Sequence, residues 1–252
     1  MQRPAPEQGR HSARTSFMTT APLSALREVF AQCRDMDASL DQRLETYSRA
    51  VRKFSPSYAE AVDDLVQRLS ATGSGANAPR PGEPMPPFVL PDETGHLVSL
   101  AQILERGPVA ITFHRGHWCP WCRISVNALV RVHHEIAAVG GQVVAIMPDR
   151  QRFAAEFKRE AASPFPVLTD LDNGYALSLN LAIWLGPDLE RMLSSFGRLL
   201  PEYHGNDAWT LPIPATFVVG AEGLVRARFV DPDFRKRMAV DDLIAALKLA
   251  RQ

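Results

Sequence analysis

Two of the chain's three cysteines stand as Cys119-Pro120-Trp121-Cys122, inside His114-Arg115-Gly116-His117-Trp118-Cys119-Pro120-Trp121-Cys122-Arg123. A C-x-x-C spacing supports a redox dithiol or half of a metal site. An apolar run, Val109–Phe113, feeds the motif, and an amphipathic segment over 124–139 leaves it. That order places Cys119 at a helix N-cap and Pro120 at the first helical position, where proline's missing donor costs nothing. The N–H groups of Trp121 and Cys122 then have no intrahelical partner and face the Cys119 sulfur. A free thiol of pKa about 8.5 is only about 3% thiolate at pH 7; at helix N-termini beside cations the pKa falls to roughly 3.5–7.5. Arg115, Arg123 and a protonated His114 or His117 would push the same way.

Cys122 lies one helical turn on and on the same face, so its sulfur can reach Cys119. Cys119, nearer the strand exit, is expected to be the more exposed, attacking thiol, and Cys122 the resolving one. Zinc is disfavoured as an alternative. His133 and His134 are adjacent, so on a helix they point about 100° apart, and no second C-x-x-C exists. An inert structural pair is also disfavoured, because the flanking Arg and His residues make an electropositive setting. No metal and no cofactor is expected.

The elements that must position this motif follow from composition and period. The 252 residues hold 28 Lys plus Arg against 28 Asp plus Glu and are 46% apolar, enough for a sizeable core. Balanced charge gives no sign of a nucleic-acid or membrane-surface partner, and no window approaches 18 apolar residues. Few cysteines, two of them in one tetrapeptide, fit a reducing compartment, so a cytoplasmic location is expected. Residues 1–20 lack the apolar stretch of a signal peptide and are expected to be a disordered tail, with Met1 or Met18 as the start.

Apolar residues then recur at helical spacing from Leu23 to Phe54 with a break at Asp37, and Ser57 with Glu60 suggests a capping box opening a second helix. These helices (21–70) form a hairpin that needs a surface to cover. The plainer reading is their own domain; the sharper is a homodimer arm. Cys33 falls on their apolar side, where a lone cysteine is a small buried hydrophobe. Residues 71–87, rich in Pro and Gly, are read as a linker. From 88 to 252 the order is a short hairpin and then alternating strands and helices, which argues for an α/β fold with a partly parallel sheet. Asp170 to Gly174 is read as a turn, because Leu181 stands where a calcium loop needs Glu.

An insertion over about 182–210 breaks that rhythm, with a helix expected over 189–200 and ended by Pro201. Its His204, Asp207 and Trp209 could overhang the motif, although solvated loop residues are the plainer reading. Strands resume at 215–219, and 212–215 suits a special turn with a cis X-Pro bond.

With these residues in view, 83–250 resembles the thioredoxin fold, and within it the peroxiredoxin-like family of the alkyl hydroperoxide reductase and thiol-specific antioxidant superfamily. The resemblance rests on Phe113 to Cys122, with its W-C-P-W-C core, and on Leu211-Pro212-Ile213-Pro214-Ala215-Thr216-Phe217-Val218-Val219. It implies a thioredoxin-like α/β fold, a central mixed sheet flanked by helices, here with an N-terminal helical extension. It implies that Cys119 is the peroxidatic cysteine, Cys122 its thioredoxin-type second cysteine, and Pro214 the cis-proline against the dithiol. The site set is then Cys119, Cys122 and Arg115 as catalytic groups, with His117, Trp118, Pro120, Trp121 and Pro214 around the substrate. The family's Pro-x-x-x-Thr/Ser-x-x-Cys falls on Thr112 and Gly116, so the proline and the peroxide-activating hydroxyl are both absent, and Arg115 or His117 is expected to supply the donor.

The expected function is a thiol peroxidase reducing hydrogen peroxide or organic hydroperoxides through a Cys119 sulfenic acid and a Cys119–Cys122 disulfide, recycled by thioredoxin or a similar reductant. Two other readings stand beside it. One is a thiol–disulfide oxidoreductase acting on protein disulfides; the other is a non-enzymatic partner-binding protein using the N-terminal helices.

Overall fold

The computed structural model describes residues 20–251. The tail expected over 1–20 lies, apart from Thr20, outside the described residues. Three helices come first: α1 (Thr20–Asp35), α2 (Leu40–Phe54) and α3 (Pro56–Ala71). The break at Asp37 is where α1 stops. Ser39 then caps α2, its hydroxyl taking the Gln42 N–H while the Gln42 side chain takes the Ser39 N–H. The capping box expected at Ser57 and Glu60 does not form. Pro56 already occupies the first helical position of α3, so Ser57 lies inside the helix rather than ahead of it.

Next come the antiparallel pair β1 (Val89–Pro91) and β2 (Leu97–Ser99), followed by α4 (Leu100–Leu104). The alternating part runs β3 (Val109–Phe113), α5 (Pro120–Arg131), α6 (His133–Ala138), β4 (Gln142–Met147), α7 (Gln151–Ala161), β5 (Val167–Thr169) and α8 (Gly174–Ser178). The chain continues through β6 (Ala182–Trp184), α9 (Pro187–Ser195), α10 (Leu200–His204) and β7 (Thr210–Pro212), and closes with β8 (Ala215–Val219), β9 (Val225–Val230) and α11 (Val240–Ala250).

The main sheet has five strands in the order β5-β4-β3-β8-β9. Strands β3, β4 and β5 are parallel, while β8 runs antiparallel to β3 and to β9. Central β3 and β8 are buried along their whole length, which is why they read as continuous apolar runs. One face of the sheet packs under α4, α8 and the β1–β2 pair; the other packs under α5, α7 and α11. This is the expected mixed sheet flanked by helices. The proline-rich stretch after α3 lies along the start of β9, through Gly82 N–H to Val225 O (2.8 Å) and Val225 N–H to Glu83 O (2.9 Å).

The insertion differs from expectation in one respect. Pro201 does not end a helix: α9 stops at Ser195, Gly197 turns the chain at φ +71°, and α10 begins at Leu200 with Pro201 in its first turn. A proline is harmless there because the first-turn N–H groups have no partner to lose. Pairing of β6 with β7 pins both ends of the excursion.

A third apolar cluster joins α1–α3, the first turn of α5 and the insertion. The N-terminal helices therefore pack on their own chain, and Cys33 is fully buried among them. Buried Arg43 fastens this layer, donating to Cys33 O (2.8 Å), Arg34 O (2.6 Å) and Asn127 Oδ1 on α5 (2.8 Å). Replacing it with Met would leave those acceptors unpaired, so we expect Arg43→Met to lose about 3 kcal/mol in urea unfolding.

Candidate active site

The site sits where β3 ends. Cys119 is the N-cap of α5 and Pro120 its first residue. The chain reaches it through a tight passage: His114 N–H donates to Ile146 O of β4 (2.8 Å), and Cys119 N–H donates to Gly116 O (3.1 Å). Both cysteines are free and 0% exposed. The greater exposure expected for Cys119 therefore does not hold. The N-terminal helices and the insertion close over the first turn of α5, a cover that the isolated motif gives no sign of. Trp121 donates to Ser48 Oγ of α2 (2.9 Å) and meets the Tyr47 ring edge-on at 4.9 Å, while Arg198 of the insertion donates to Trp118 O (2.7 Å).

Two buried guanidinium groups serve the dithiol. The Arg115 guanidinium lies against the Phe234 ring at 3.7 Å and the Trp118 ring at 5.0 Å, and the Arg115 backbone N–H donates to Cys122 Sγ (3.3 Å). Arg237 Nη2 approaches the same sulfur at 3.5 Å and Nη1 donates to the Phe234 and Lys236 carbonyls. Burial pushes the Cys119 thiol up, but the Cys122 thiol, Arg115, the Cys122 N–H and Arg237 outweigh it and hold it at about 6. The N-cap sulfur closes no regular side-chain capping bond, so the first turn contributes through Cys122 alone. Cys122 goes the other way. Burial, with the hydrogen bond and charge of Cys119 next to it, pushes it up to about 12.

Gly116 explains the missing hydroxyl. At φ +134° it adopts a backbone that side chains avoid, and a Cβ would come within 2.5 Å of Asp149 Oδ1 and 2.8 Å of Trp118 Nε1. The Asp149 carboxyl is 0% exposed, so it fills that space. Its Oδ2 accepts the His117 N–H (2.7 Å), and buried His204 Nε2 stands 3.6 Å from Oδ1. Burial drives Asp149 up to about 7, countered by the His117 N–H and reinforced by Cys122; burial likewise drives His204 down to about 4. At neutral pH His204 is therefore neutral and Asp149 only part-ionised. His204 and Trp209 are thus buried rather than solvated, whereas Asp207 is exposed.

The other expected residues divide. Trp118, Pro120 and Trp121 surround Cys119, and Pro214 is buried before β8. The described residues contain no cis peptide bond, so Pro214 is not the expected cis-proline. Ile213 N–H is instead bonded to Leu181 O (2.8 Å), and β7 runs on into β8 without a reversal. The His117 ring turns to α7, stacking on Phe153 and bonding Glu160 Oε2 at 3.1 Å. His117, Glu156 and Glu160 bring atoms within 4.8 Å that could hold a metal ion, but Arg123 already pairs with Glu160 at 2.5 Å. Arg237 and Asp149 escaped the sequence reading, whereas His204 stands near the motif as one of the residues that could overhang it. Asp149 has one signal, an acid two residues past the apolar strand β4, at the carboxyl ends of the parallel strands where sites form.

With the geometry in place, comparison with known proteins is informative. A sequence model of the AhpC/TSA family matches residues 81–228, and the chain belongs to that family. It is 30% identical over 92 residues to a putative chloroplastic peroxiredoxin Q of Oryza sativa subsp. indica, covering 36% of this chain and 42% of that protein. It is 33% identical over 92 residues to a putative peroxiredoxin of Mycobacterium tuberculosis, covering 36% and 58%. The matched stretch thus spans about half the length of these relatives. Among solved structures, peroxidoxin BcpB of Mycobacterium tuberculosis superimposes with a TM-score of 0.54 at 22% identity, covering 69% of this chain and 99% of that one. Peroxiredoxin 6 of Arenicola marina gives 0.51 at 14%, covering 67% and 71%. These likenesses carry the fold, which is thioredoxin-like.

Two predictions follow from the geometry. Gly116→Ser, which would restore a hydroxyl, should destabilise the chain by about 2–4 kcal/mol in urea unfolding, from backbone strain and overpacking together. The Cys119 thiolate, followed by its ultraviolet absorbance, should titrate near pH 6. Its folded pKa lies below the unfolded value, so its stabilising contribution is complete above the unfolded pKa and lost as pH falls toward 6. Removing one of its donors in Cys122→Ala should raise the midpoint by about one unit.

Proposed function

We propose that the chain is a thiol peroxidase of the W-C-P-W-C peroxiredoxin-like type. The observation that carries this reading is a buried Cys119 thiol held at about 6 beside Arg115 and Arg237. The thiolate attacks one peroxide oxygen, the O–O bond breaks, and sulfur gives up two electrons. A proton from solvent, guided by the guanidinium groups, converts the departing alkoxide or hydroxide to alcohol or water, leaving Cys119 as a sulfenic acid.

That oxidation prepares the second step. Two of the three influences raising Cys122 are the Cys119 thiolate's hydrogen bond and its charge. Both disappear when Cys119 becomes a neutral sulfenic acid, so Cys122 becomes easier to ionise once it is needed. Its sulfur displaces hydroxide from the sulfenic sulfur, the Cys122 proton leaves with that oxygen as water, and a disulfide forms. Thioredoxin or a similar dithiol donor returns two electrons and two protons, which requires the cover over Cys119 to open. Three cysteines, two of them in one tetrapeptide, support a reducing, cytoplasmic setting.

Burial also weighs against exchange with protein disulfides as the main activity. A folded partner's disulfide reaches Cys119 only once the cover has opened, as the reductant does at the recycling step, whereas a small peroxide needs a far smaller opening. We expect Cys119→Ser to abolish peroxide turnover, and Cys122→Ser to consume about one peroxide and stop as a sulfenic acid trappable by dimedone. Turnover surviving in Cys119→Ser, or mixed disulfides with proteins in place of a sulfenic acid, would sink the proposal.

A further inference from the structure

The resolving thiol is crowded by donors. Cys122 Sγ accepts the Arg115 backbone N–H at 3.3 Å and faces Arg237 Nη2 at 3.5 Å. Its own S–H needs an acceptor on another side. In the reduced chain that acceptor is Cys119, whose thiolate takes the Cys122 hydrogen bond. Oxidation removes the charge from Cys119, so the acceptor is lost when Cys122 has to give up its proton. Asp149 acts on Cys122 through charge alone.

His114 is the buried group that fits the vacancy. Its ring is 1% exposed, lies 6.1 Å from the Phe157 ring, and takes no part in the steps above. Nε2 stands 3.0 Å from Thr112 Oγ1, and that hydroxyl reaches Val144 O at 3.1 Å. A carbonyl can only accept, so the hydroxyl gives its hydrogen to Val144 O and accepts from His114 Nε2–H. The one N–H of the neutral ring is thereby held at Nε2, and Nδ1 is left as a bare lone pair. Nδ1 is buried and has no hydrogen-bond partner among the described residues, which costs stability unless the lone pair is used. Burial and Cys119 push the Cys122 thiol up; the hydrogen-bonding His114 side chain and the charge of Arg237 pull the other way, so the ring acts directly on this sulfur.

The geometry points to His114 Nδ1 as the base that takes the proton of Cys122 when its sulfur attacks oxidised Cys119. The proton passes from Sγ to Nδ1, and the electron pair left on Cys122 forms the S–S bond. The S–O bond of the sulfenic acid breaks, and the leaving hydroxide takes the proton from Nδ1 as water. Cys122 sulfur gives up one electron, Cys119 sulfur gains one, and His114 ends as it began. For the sulfenic acid this deepens the peroxidase reading above and rests on it; for any other small leaving group on Cys119 it does not.

The test follows the resolving step in the full, reduced chain from two starting points. One equivalent of hydrogen peroxide makes the sulfenic acid. Separately, one equivalent of methyl methanethiosulfonate caps Cys119 as a methyl disulfide, releasing methanesulfinate, and Cys122 then displaces methanethiolate. Quenching and mass spectrometry count the Cys119–Cys122 disulfide. His114→Gln can still donate to Thr112 but carries no base. It should slow the resolving step about a hundredfold from both starting points and change the initial reaction at Cys119 by less than about threefold. Its resolving rate should climb about tenfold per pH unit between about 6 and 9, because hydroxide replaces the base, whereas the unaltered chain levels off. Cys119, Arg115, Arg237 and Asp149 are common to both chains, so the difference in profile isolates His114. Equal slowing of both reactions, or a resolving step unchanged in rate and pH profile, would overturn the inference. Should His114→Gln fail to fold, nitrogen-15 NMR of the unaltered histidine-labelled chain decides: a His114 hydrogen on Nε2 supports the inference, and one on Nδ1 overturns it. The two readings fail separately. If the methyl disulfide is resolved in a His114-dependent way but peroxide yields no sulfenic acid, the base stands and the peroxidase reading falls. If peroxide yields the sulfenic acid but neither resolving reaction responds to His114, the reverse holds.

Discussion

A charge kept out of water is the constraint on which the rest of this structure depends. Cys119 is wholly buried, and a buried anion is costly unless compensated. Compensation comes from Arg115 and Arg237, each itself buried, whose planar cations rest on or near the Phe234 segment. Guanidinium suits this position because it is weakly hydrated and stacks on rings, where an ammonium would hold its water. Asp149, a buried acid beside the motif, is pushed up to about 7 by burial and so competes less for the arginines. Aromatic cover, paired arginines and a muted carboxyl are three parts of one solution to the same problem.

The same packing accounts for the departure at Gly116. In the family pattern a hydroxyl stands three residues before the reactive cysteine. Here the backbone at that position is left-handed, and Asp149 with Trp118 occupies the room a side chain would need. Buried Arg115 keeps Nε and Nη1 without a hydrogen-bond partner among the described residues, and under the proposed peroxidase reading these are donors available to the reacting oxygen. His117 spends its ring on Glu160 and contributes to the site through its backbone N–H, which orients Asp149.

Much of this was legible in the sequence because it is local. The C-x-x-C step, the proline at the first helical position and the apolar strands β3, β4 and β8 each announce themselves within a few residues. What was not legible is what distant segments do to one another. The exposure of Cys119 was misjudged because its cover comes from residues 23–72 and 182–210, far away in sequence. Arg237 sits in a basic run with Arg235 and Lys236 that reads as a solvated surface, and only folding turns one of the three inward. Ser57 and Glu60 match a capping pattern, but Pro56 starts the helix one residue earlier. The bond before Pro214 is trans, and Ile213 N–H is bonded to Leu181 O, a long-range pairing that no motif encodes.

The central claim is that peroxide drives this dithiol directly from thiolate to disulfide. Single-turnover mixing of the reduced chain with one equivalent of peroxide, followed by tryptophan fluorescence and by mapping of the oxidised peptide, measures it. The account predicts one Cys119–Cys122 disulfide per peroxide, formed in two phases, the first accelerating as pH rises through about 6. A disulfide that forms no faster than in unfolded chain, or a first phase indifferent to pH across that range, would contradict it.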